Sequence, residues 1–296
     1  MIYNTGMTKK IIIVIIIVGI FIFALVAGDR VNQMYRNNVN LDEVASMASA
    51  VKSPFEYNFN VDGTLEEAGT IYESTNPYWW LDSGGMMIIH SGIGSTAQGS
   101  LPAENKWRML YASSNPVDTD NGVRPQNIFR LLTRSYWHNF RQEMYFRVNA
   151  HNISQSPNRD ESNGLLLISR YQNQNNLYYA GVRVDGHVII KKKKGGEYHT
   201  LYEEPIFPGI YSREENHNFI PKDIWIGVRT DIISLSQSHV KIRLFTDIGE
   251  TGTWKLVADA DDYGTVYGSV INERGLAGVR TDFMDVSFKK YRIEEL

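Results

Sequence analysis

The segment NLYYAGVRVDGHVIIK, residues Asn176–Lys191, contains two runs of aromatic and β-branched residues separated by Asp185-Gly186. An Asp-Gly pair between such runs is typical of a two-residue turn with positive φ. Side chains alternate between the two faces of a strand, so Tyr178 and Tyr179 are expected on opposite faces. The segment therefore predicts an antiparallel hairpin.

The same kind of pattern continues from Phe55 to the end of the chain. Short apolar runs are separated by clusters of Gly, Asn, Asp and Ser, which indicates strands and turns. No helix of more than about two turns is expected after residue 55, so the sequence predicts an all-β domain of two stacked antiparallel sheets. The clearest strands are expected at residues 85–89, 128–133, 143–149, 164–171, 177–184, 187–193, 197–202, 224–230, 239–247, 254–259, 277–280 and 285–293.

Composition excludes several classes of function. The chain has 30 Lys and Arg against 33 Asp and Glu, a net charge of −3, and no cysteine. A mildly acidic protein has no bulk attraction to nucleic acid or to anionic lipid, so no nucleic-acid partner is expected. Without cysteine, neither disulfides nor thiolate metal sites can form, and stability has to come from the core.

The N-terminal segment contains a long apolar run, unlike the mixed polar and apolar sequence that follows it. Residues Ile11–Ala27 form an uncharged run of seventeen residues directly after Lys9 and Lys10. As a helix this run is about 26 Å long, near the lower limit for crossing a bilayer. A cleaved signal peptide is the alternative to a retained anchor. We expect a cytoplasmic N-terminus (1–10), a single transmembrane helix (11–28), a short, partly helical stalk (29–53) and an extracytoplasmic domain (54–296).

Two segments carry a family resemblance: the hairpin Asn176–Lys191 and GVRTDFMDVSFKKY at residues Gly278–Tyr291. Together they resemble the concanavalin A-like lectin/glucanase superfamily, in its laminin-G-like branch, over roughly residues 55–296. The resemblance implies an antiparallel two-sheet jelly-roll sandwich. The superfamily includes glycan-binding modules, glucanases, polysaccharide lyases and adhesion domains, so the fold alone does not select a function.

A carbohydrate or surface-polymer site requires exposed aromatic rings next to hydrogen-bonding side chains, because sugar rings have apolar faces and hydroxyl edges. The hairpin region is rich in both, although such rings also commonly pack in the core. A protein-contact module at the cell surface is a further alternative, in which aromatic patches would contact a protein partner. The predicted glycan ligands are Arg170, Tyr171, Asn173, Tyr178, Tyr179, Arg183 and Lys191.

An enzyme acting on polysaccharide is the other alternative. The Glu-x-Asp-x-x-Glu strand of glucanases with this fold is missing, which weighs against a two-carboxylate hydrolase. Arg141 and Arg147 lie on a strand that resembles, with different spacing, the arginine-rich strand of polysaccharide lyases. In that interpretation Tyr179 and His151 would transfer the proton. Otherwise the strand presents an outward polar face with cross-strand ion pairs.

A structural Ca²⁺ is the expected cofactor. The segment Asp118-Thr-Asp-Asn-Gly122 is similar to the start of a calcium loop, with Asp118 and Asp120 as ligands, and an Asx-rich surface turn is the alternative. The superfamily resemblance implies a second position at Asp285 on the last strand, with Asp282 as the next choice. A metal there would stabilise the fold without taking part in catalysis.

Overall fold

The computed structural model describes residues 51–296, which belong to a compact unit, Ala48–Leu296. The expected N-terminus (1–10), transmembrane helix (11–28) and all but the last residues of the stalk (29–53) lie outside the described residues. Within residues 51–296, none of the helices has the length and apolar character needed to cross a membrane.

Sixteen strands and one α-helix make up the described part of the chain. The helix, α1, spans Lys106–Ser114, and a 3₁₀ turn spans Pro125–Asn127. The strands are β1 Phe55–Tyr57, β2 Gly63–Glu66, β3 Trp79–Ser83, β4 Met86–His90, β5 Ile93–Thr96, β6 Ile128–Trp137, β7 Phe140–His151, β8 Gly164–Asn173, β9 Asn176–Arg183, β10 His187–Lys194, β11 Glu197–Pro205, β12 Ile226–Ser236, β13 His239–Ile248, β14 Lys255–Asp262, β15 Gly275–Asp282 and β16 Met284–Glu295.

The strands form two antiparallel sheets. One has nine strands in the order β14-β13-β12-β7-β16-β5-β4-β2, with β1 paired to β16, and the other has seven in the order β11-β10-β9-β8-β15-β6-β3. The chain crosses repeatedly from one sheet to the other, as it does in a jelly roll. The expected antiparallel two-sheet sandwich is therefore confirmed.

The predicted hairpin is β9–β10. Val182 pairs with Val188 and Gly181 with Ile189 across the turn. Tyr178 belongs to the core between the sheets, whereas Tyr179 belongs to a separate apolar cluster with Leu166 and Ile189 on the outer face of the seven-stranded sheet. The alternation predicted from sequence is confirmed.

Inward side chains of both sheets form the main core. Fully buried Phe129, Phe146 and Phe288 lie there with Trp79 and Tyr291. The ring centroids of Trp79 and Tyr291 are 4.7 Å apart in an edge-to-face arrangement, which favours aromatic pairs beyond the area they bury. This core fixes the position of the outer face that carries the candidate site.

Helix α1 has nine residues and is slightly longer than the two turns expected. Asn105 caps it, because its side chain accepts a hydrogen bond from the backbone N–H of Trp107. Only Trp107 and Tyr111 of the helix are buried. With so narrow an apolar face, the segment gives a weak helical signal in the sequence.

Candidate functional site

A groove of about 380 Å³ lies on the outer face of the seven-stranded sheet. It crosses strands β6, β15, β8, β9, β10 and β11, and the loop between β7 and β8 forms one end. Its lining residues are Asp118, Ile128, Asn158, Asp160, Ser162, Asn163, Leu166, Tyr179, Lys191, Tyr198, Arg280, Asp282 and Phe283.

A hydrogen bond bridges this groove. Nη1 of Arg280 on β15 donates to the Tyr198 hydroxyl on β11 at 3.2 Å, although three strands lie between β15 and β11. In a flat sheet four strand spacings amount to about 19 Å. The contact therefore requires the sheet to curve around the groove.

Tyr198, which is 45% exposed, supplies the aromatic surface, and the ring of Tyr179, only 5% exposed, packs against it. The rings of Tyr179 and Tyr198 meet edge to face with centroids 5.8 Å apart, and the Nζ of Lys193 lies 4.4 Å from the ring centroid of Tyr198. Burial alone would raise the pKa of Tyr198, but the charge of Arg280 and hydrogen bonds to Arg280 and Lys193 outweigh it and lower the pKa. Two cationic side chains, Arg280 and Lys193, therefore contact Tyr198.

Asp282 has an open acceptor. Its side chain is 2% exposed, and Oδ1 accepts a 2.8 Å hydrogen bond from Nε of Arg280. The buried Oδ2 has no hydrogen-bond partner among residues 51–296. Burial raises the pKa of Asp282, and the attraction of Arg280 offsets only part of this. A buried acceptor without a partner is costly unless a ligand or water supplies a donor.

Lys191 has an open donor. It is half-buried beside Tyr179, and its ammonium makes no ion pair or hydrogen bond with another described residue. Burial, followed by the charge of Arg183, lowers the pKa of Lys191. The ammonium therefore lies in the groove without a direct ion-pair or hydrogen-bond partner, although the charges of Glu203 and Asp160 attract it.

The loop end of the groove is acidic, and its acids have partners. Asp118 accepts hydrogen bonds from Ser156 at 2.6 Å and Asn158 at 2.9 Å. Asp160 accepts two from Ser162, from the backbone N–H at 2.8 Å and the hydroxyl at 2.6 Å. These bonds stabilise the loop that forms the groove end.

Behind Asp282 lies a smaller polar cavity of about 10 Å³, which it shares with His151, His217 and Tyr211. His151 Nε2, His217 Nδ1 and the Tyr211 hydroxyl are buried and lack partners among the described residues. A space of this size with several polar walls suits one ordered water molecule. Burial lowers the pKa of His151 to about 4, with smaller effects from His217 and Lys222.

Of the seven predicted ligand residues, Tyr179 and Lys191 line the groove. Tyr178 and Arg170 lie in the protein interior. Tyr178 is 1% exposed, and its hydroxyl donates a hydrogen bond to Asp262. Arg170 is fully buried and donates hydrogen bonds to the backbone carbonyls of His138 and Ile271. Neither of these two predicted ligand residues is exposed or lines the groove. Both side chains satisfy their polar groups inside the protein.

The remaining three do not line the groove. Tyr171 is buried in the apolar cluster of the outer face, and Asn173 is exposed at the turn after β8. Arg183 is 7% exposed and pairs with Asp185 and with Glu203, the latter at 3.1 Å. The predicted cluster is thus divided between the core, the turn and the groove.

The residues of the lyase hypothesis are not brought together. Arg141 and Arg147 lie on the outer face of the nine-stranded sheet, while Tyr179 lies on the outer face of the other. Arg141 makes a bidentate pair with Asp231, at 2.7 and 2.8 Å, and Arg147 lies over the ring of Trp225. His151 lines the inner cavity. Strand β7 therefore matches the other interpretation, an outward polar face with cross-strand ion pairs such as Arg141–Asp231.

Three of the four predicted calcium ligands, Asp118, Asp120 and Asp285, accept several hydrogen bonds from the protein itself. Asp285 accepts hydrogen bonds from Gly99, Gln126 and Asn152 at 2.6 to 3.0 Å. Asp120 accepts from Arg124 at 3.1 Å and from Ser154 at 2.5 Å. Among the described residues, Asp118, Asp120, Asp282 and Asp285 belong to no group of three candidate ligands within 4.8 Å. Protein donors thus occupy the acceptor positions of Asp285.

One such group does exist, formed by Asp185, His187 and Glu203 at the hairpin turn. The guanidinium of Arg183 contacts both carboxylates there. A positive side chain therefore already pairs with both of the carboxylates that an ion would need.

Sequence reasoning missed Tyr198, Arg280, Asn158 and Asp160. Arg280 and Tyr198 each follow the period-two alternation that places them outward, but both lie far along the chain from the hairpin. Their proximity depends on strand order and sheet curvature, for which the sequence carries no local signal.

No protein-family model matches the sequence, and no curated protein sequence does. Solved structures resemble it weakly. The carbohydrate-binding module CBM66 from Bacillus subtilis has 14% identity and a TM-score of 0.44, covering 73% of this chain and 95% of that one. Winged bean acidic lectin complexed with methyl-α-D-galactose has 9% identity and a TM-score of 0.46, covering 81% and 98%. The Ca²⁺-bound exoplasmic/lumenal domain of VIP36 has 11% identity and a TM-score of 0.41, covering 81% and 92%. At such values the likenesses assign neither a family nor a function.

Proposed function

We propose that this domain binds carbohydrate in the groove of its seven-stranded sheet. The observation that carries the proposal is the groove itself, which the rings of Tyr179 and Tyr198 line together with Asp282, a carboxylate whose Oδ2 has no hydrogen-bond partner among residues 51–296. Sugar hydroxyls donate to carboxylates, and the C–H faces of sugar rings pack on aromatic rings. Both kinds of contact are available within one groove.

The size of the groove supports the same conclusion. A volume of about 380 Å³ falls in the range of small-molecule sites and accommodates a short stretch of a glycan chain. Because the groove crosses six strands, a polymer can lie across the sheet.

The N-terminal sequence supports a location for this activity. The apolar run Ile11–Ala27 after two lysines favours an anchor with the domain on the extracytoplasmic side. In that position the groove would face cell-surface or environmental polysaccharides.

The test uses the full chain, purified in mild detergent, on a polysaccharide array, with parallel detection of new reducing ends and of unsaturated uronate absorbance. We expect binding without product. Tyr198→Ala removes an aromatic ring that is 45% exposed, and binding should be lost. Tyr263→Ala removes a ring that is 55% exposed and does not line the groove, and binding should persist.

Two results would contradict the proposal. Equal binding by the Tyr198→Ala and Tyr263→Ala variants would show that the glycan does not use the groove. Product formation would favour the lyase or hydrolase alternative, with absorbance indicating elimination and reducing ends alone indicating hydrolysis.

A further inference from the structure

The lysines of strand β10 lie in different environments. Lys192 points into the core and pairs with Asp262 at 2.9 Å, and Lys193 lies over the ring of Tyr198. Lys191, on the same strand, has neither an ion-pair nor a hydrogen-bond partner among the described residues. A half-buried ammonium loses part of its hydration, and without a partner it is a binding point for an anion.

Arg280, which lines the same groove as Lys191, supplies a second donor without a hydrogen-bond partner among the described residues. Its Nε is used by Asp282 and its Nη1 by Tyr198, while Nη2 makes no hydrogen bond to a described residue. Burial would raise the pKa of Tyr198, and the net lowering comes from Arg280 itself and from Lys193.

The groove also contains the three carboxyl groups of Asp118, Asp160 and Asp282, and hydrogen bonds from the protein occupy part of their acceptor capacity. Asp118 and Asp160 accept hydrogen bonds from their own loops, and Oδ1 of Asp282 accepts from Arg280. Only Oδ2 of Asp282 remains a buried acceptor without a partner among the described groove residues. The groups without a hydrogen-bond partner among the described groove residues thus include two cationic donors, on Lys191 and Arg280, and the Oδ2 atoms of Asp160 and Asp282.

We propose that the ligand of the groove is an acidic glycan, whose carboxylate or sulfate group is bound by Lys191 and Arg280 while Asp282 accepts a hydroxyl of the same or the next sugar. This inference rests on the proposed function and narrows its ligand class. Charge-assisted hydrogen bonds to an anion are stronger than those between neutral groups, so the charge on the glycan decides its affinity.

The experiment compares polymers that share a backbone and differ in charge. Polygalacturonate is paired with fully methyl-esterified polygalacturonate for carboxylates, and dextran sulfate with dextran for sulfates. Titration calorimetry uses the full chain in detergent at low and at physiological ionic strength. We expect the acidic member of at least one pair to bind about tenfold or more tightly than its neutral partner. The difference should shrink as salt is added.

Two matched variants test whether Lys191 binds the acidic group of the polymer. Lys191→Met should weaken binding of the acidic polymer about tenfold and leave the neutral one unchanged. Lys194→Met removes the same charge from the same strand outside the groove lining and should bind as the unmodified protein does. Melting temperatures of both variants confirm that they fold.

The outcomes separate this inference from the proposed function. Binding that depends on Tyr198 but is equal for acidic and neutral polymers would overturn the acidic-glycan inference and leave glycan binding intact. Equal effects of the two lysine variants would likewise overturn it. Failure of every array polysaccharide and of all four polymers to bind would overturn both.

Discussion

At the scale of single residues, Lys192 is fully buried although it lies in a run of four lysines. Its ammonium is 2.9 Å from the carboxylate of Asp262, which also accepts a 2.6 Å hydrogen bond from Tyr178. Replacing Lys192 with methionine leaves the Asp262 charge buried and uncompensated. We expect Lys192→Met to lower the free energy of unfolding by about 3–5 kcal/mol, measured by urea denaturation.

A surface lysine provides the control. Lys241 pairs with Asp259 and Asp261 at 2.9 and 3.1 Å on the outer face of the other sheet. Exposed pairs contribute less than about 1 kcal/mol, so Lys241→Met should have little effect. If both variants lost the same free energy of unfolding, the buried Lys192–Asp262 pair would contribute no more to stability than an exposed pair does.

His151 makes stability depend on pH. Burial lowers its pKa from 6.5 to about 4 in the folded protein. Above pH 6.5 the group is neutral in both the folded and the unfolded states and contributes nothing. As the pH falls from 6.5 toward 4, only the unfolded chain takes up the proton, so the free energy of unfolding falls, by up to about 3 kcal/mol.

We therefore expect His151→Gln to lose stability less steeply than the unmodified protein over that pH interval, followed by urea denaturation. His217, Arg159 and Asp282 line the same cavity and titrate or carry charge in both proteins, so the difference between the two curves isolates His151. His90→Gln, at a side chain that is 79% exposed, should follow the unmodified curve. Parallel curves for all three proteins would refute the assignment.

The residues of the hairpin illustrate what the sequence could and could not predict. Alternation placed Tyr178 and Tyr179 on opposite faces, as observed. It could not tell which face was the core, because the outer face also carries apolar side chains such as Ile189 and Leu166. Tyr178 was consequently predicted as a ligand residue although it is buried.

At the scale of elements, the hairpin turn requires glycine at position 186. Its φ is +86°, and a Cβ there would lie 2.2 Å from the carbonyl oxygen of Phe207. Both the left-handed backbone and the clash with a main-chain atom disfavour alanine. We expect Gly186→Ala to lower the free energy of unfolding by about 2–4 kcal/mol, measured in urea.

The next turn along the chain offers a matched comparison. Gly195 also has a positive φ, +60°, but a Cβ there would meet nothing within 4 Å. Gly195→Ala should cost only the backbone strain, about 1 kcal/mol. A loss at position 186 no larger than at 195 would show that the turn moves freely away from Phe207.

Long elements could be predicted, whereas of the five shortest strands only β4 was, expected at 85–89 and observed at Met86–His90. The hairpin strands, expected at 177–184 and 187–193, are observed at Asn176–Arg183 and His187–Lys194. Strands β1, β2, β3 and β5 have three to five residues, too few for a period to be recognised. Their pairing with longer strands, rather than their own sequence, stabilises them.

At the scale of the whole molecule, the two-sheet sandwich could be predicted because repeated alternation requires two buried faces. The groove could not. Asp118, Asn158, Tyr198 and Arg280 come from four distant segments that meet only through the order and curvature of the seven-stranded sheet. Strand order depends on the sum of many long-range contacts, and a single sequence gives no direct record of them.

The same long-range pairing joins the start of the described chain to its end. Strand β1 pairs with β16, with Phe55 opposite Ile293 and Tyr57 opposite Tyr291. Phe59, which follows β1, is 1% exposed, and its ring centroid is 5.4 Å from that of Phe288. Residues 55–59 therefore cover one end of the core.

Two truncations test how much this cover stabilises the domain. A chain starting at Ala48 retains the whole compact unit, and we expect it to fold cooperatively. A chain starting at Asn60 loses the burial of Phe59 and exposes the core around Phe288, so its free energy of unfolding should be lower by at least about 3 kcal/mol. Urea denaturation of both fragments measures the difference. If the two fragments were equally stable, burial of the Phe59 ring would contribute nothing to folding. Strand β1 would then lie at the edge of a core that is complete without it.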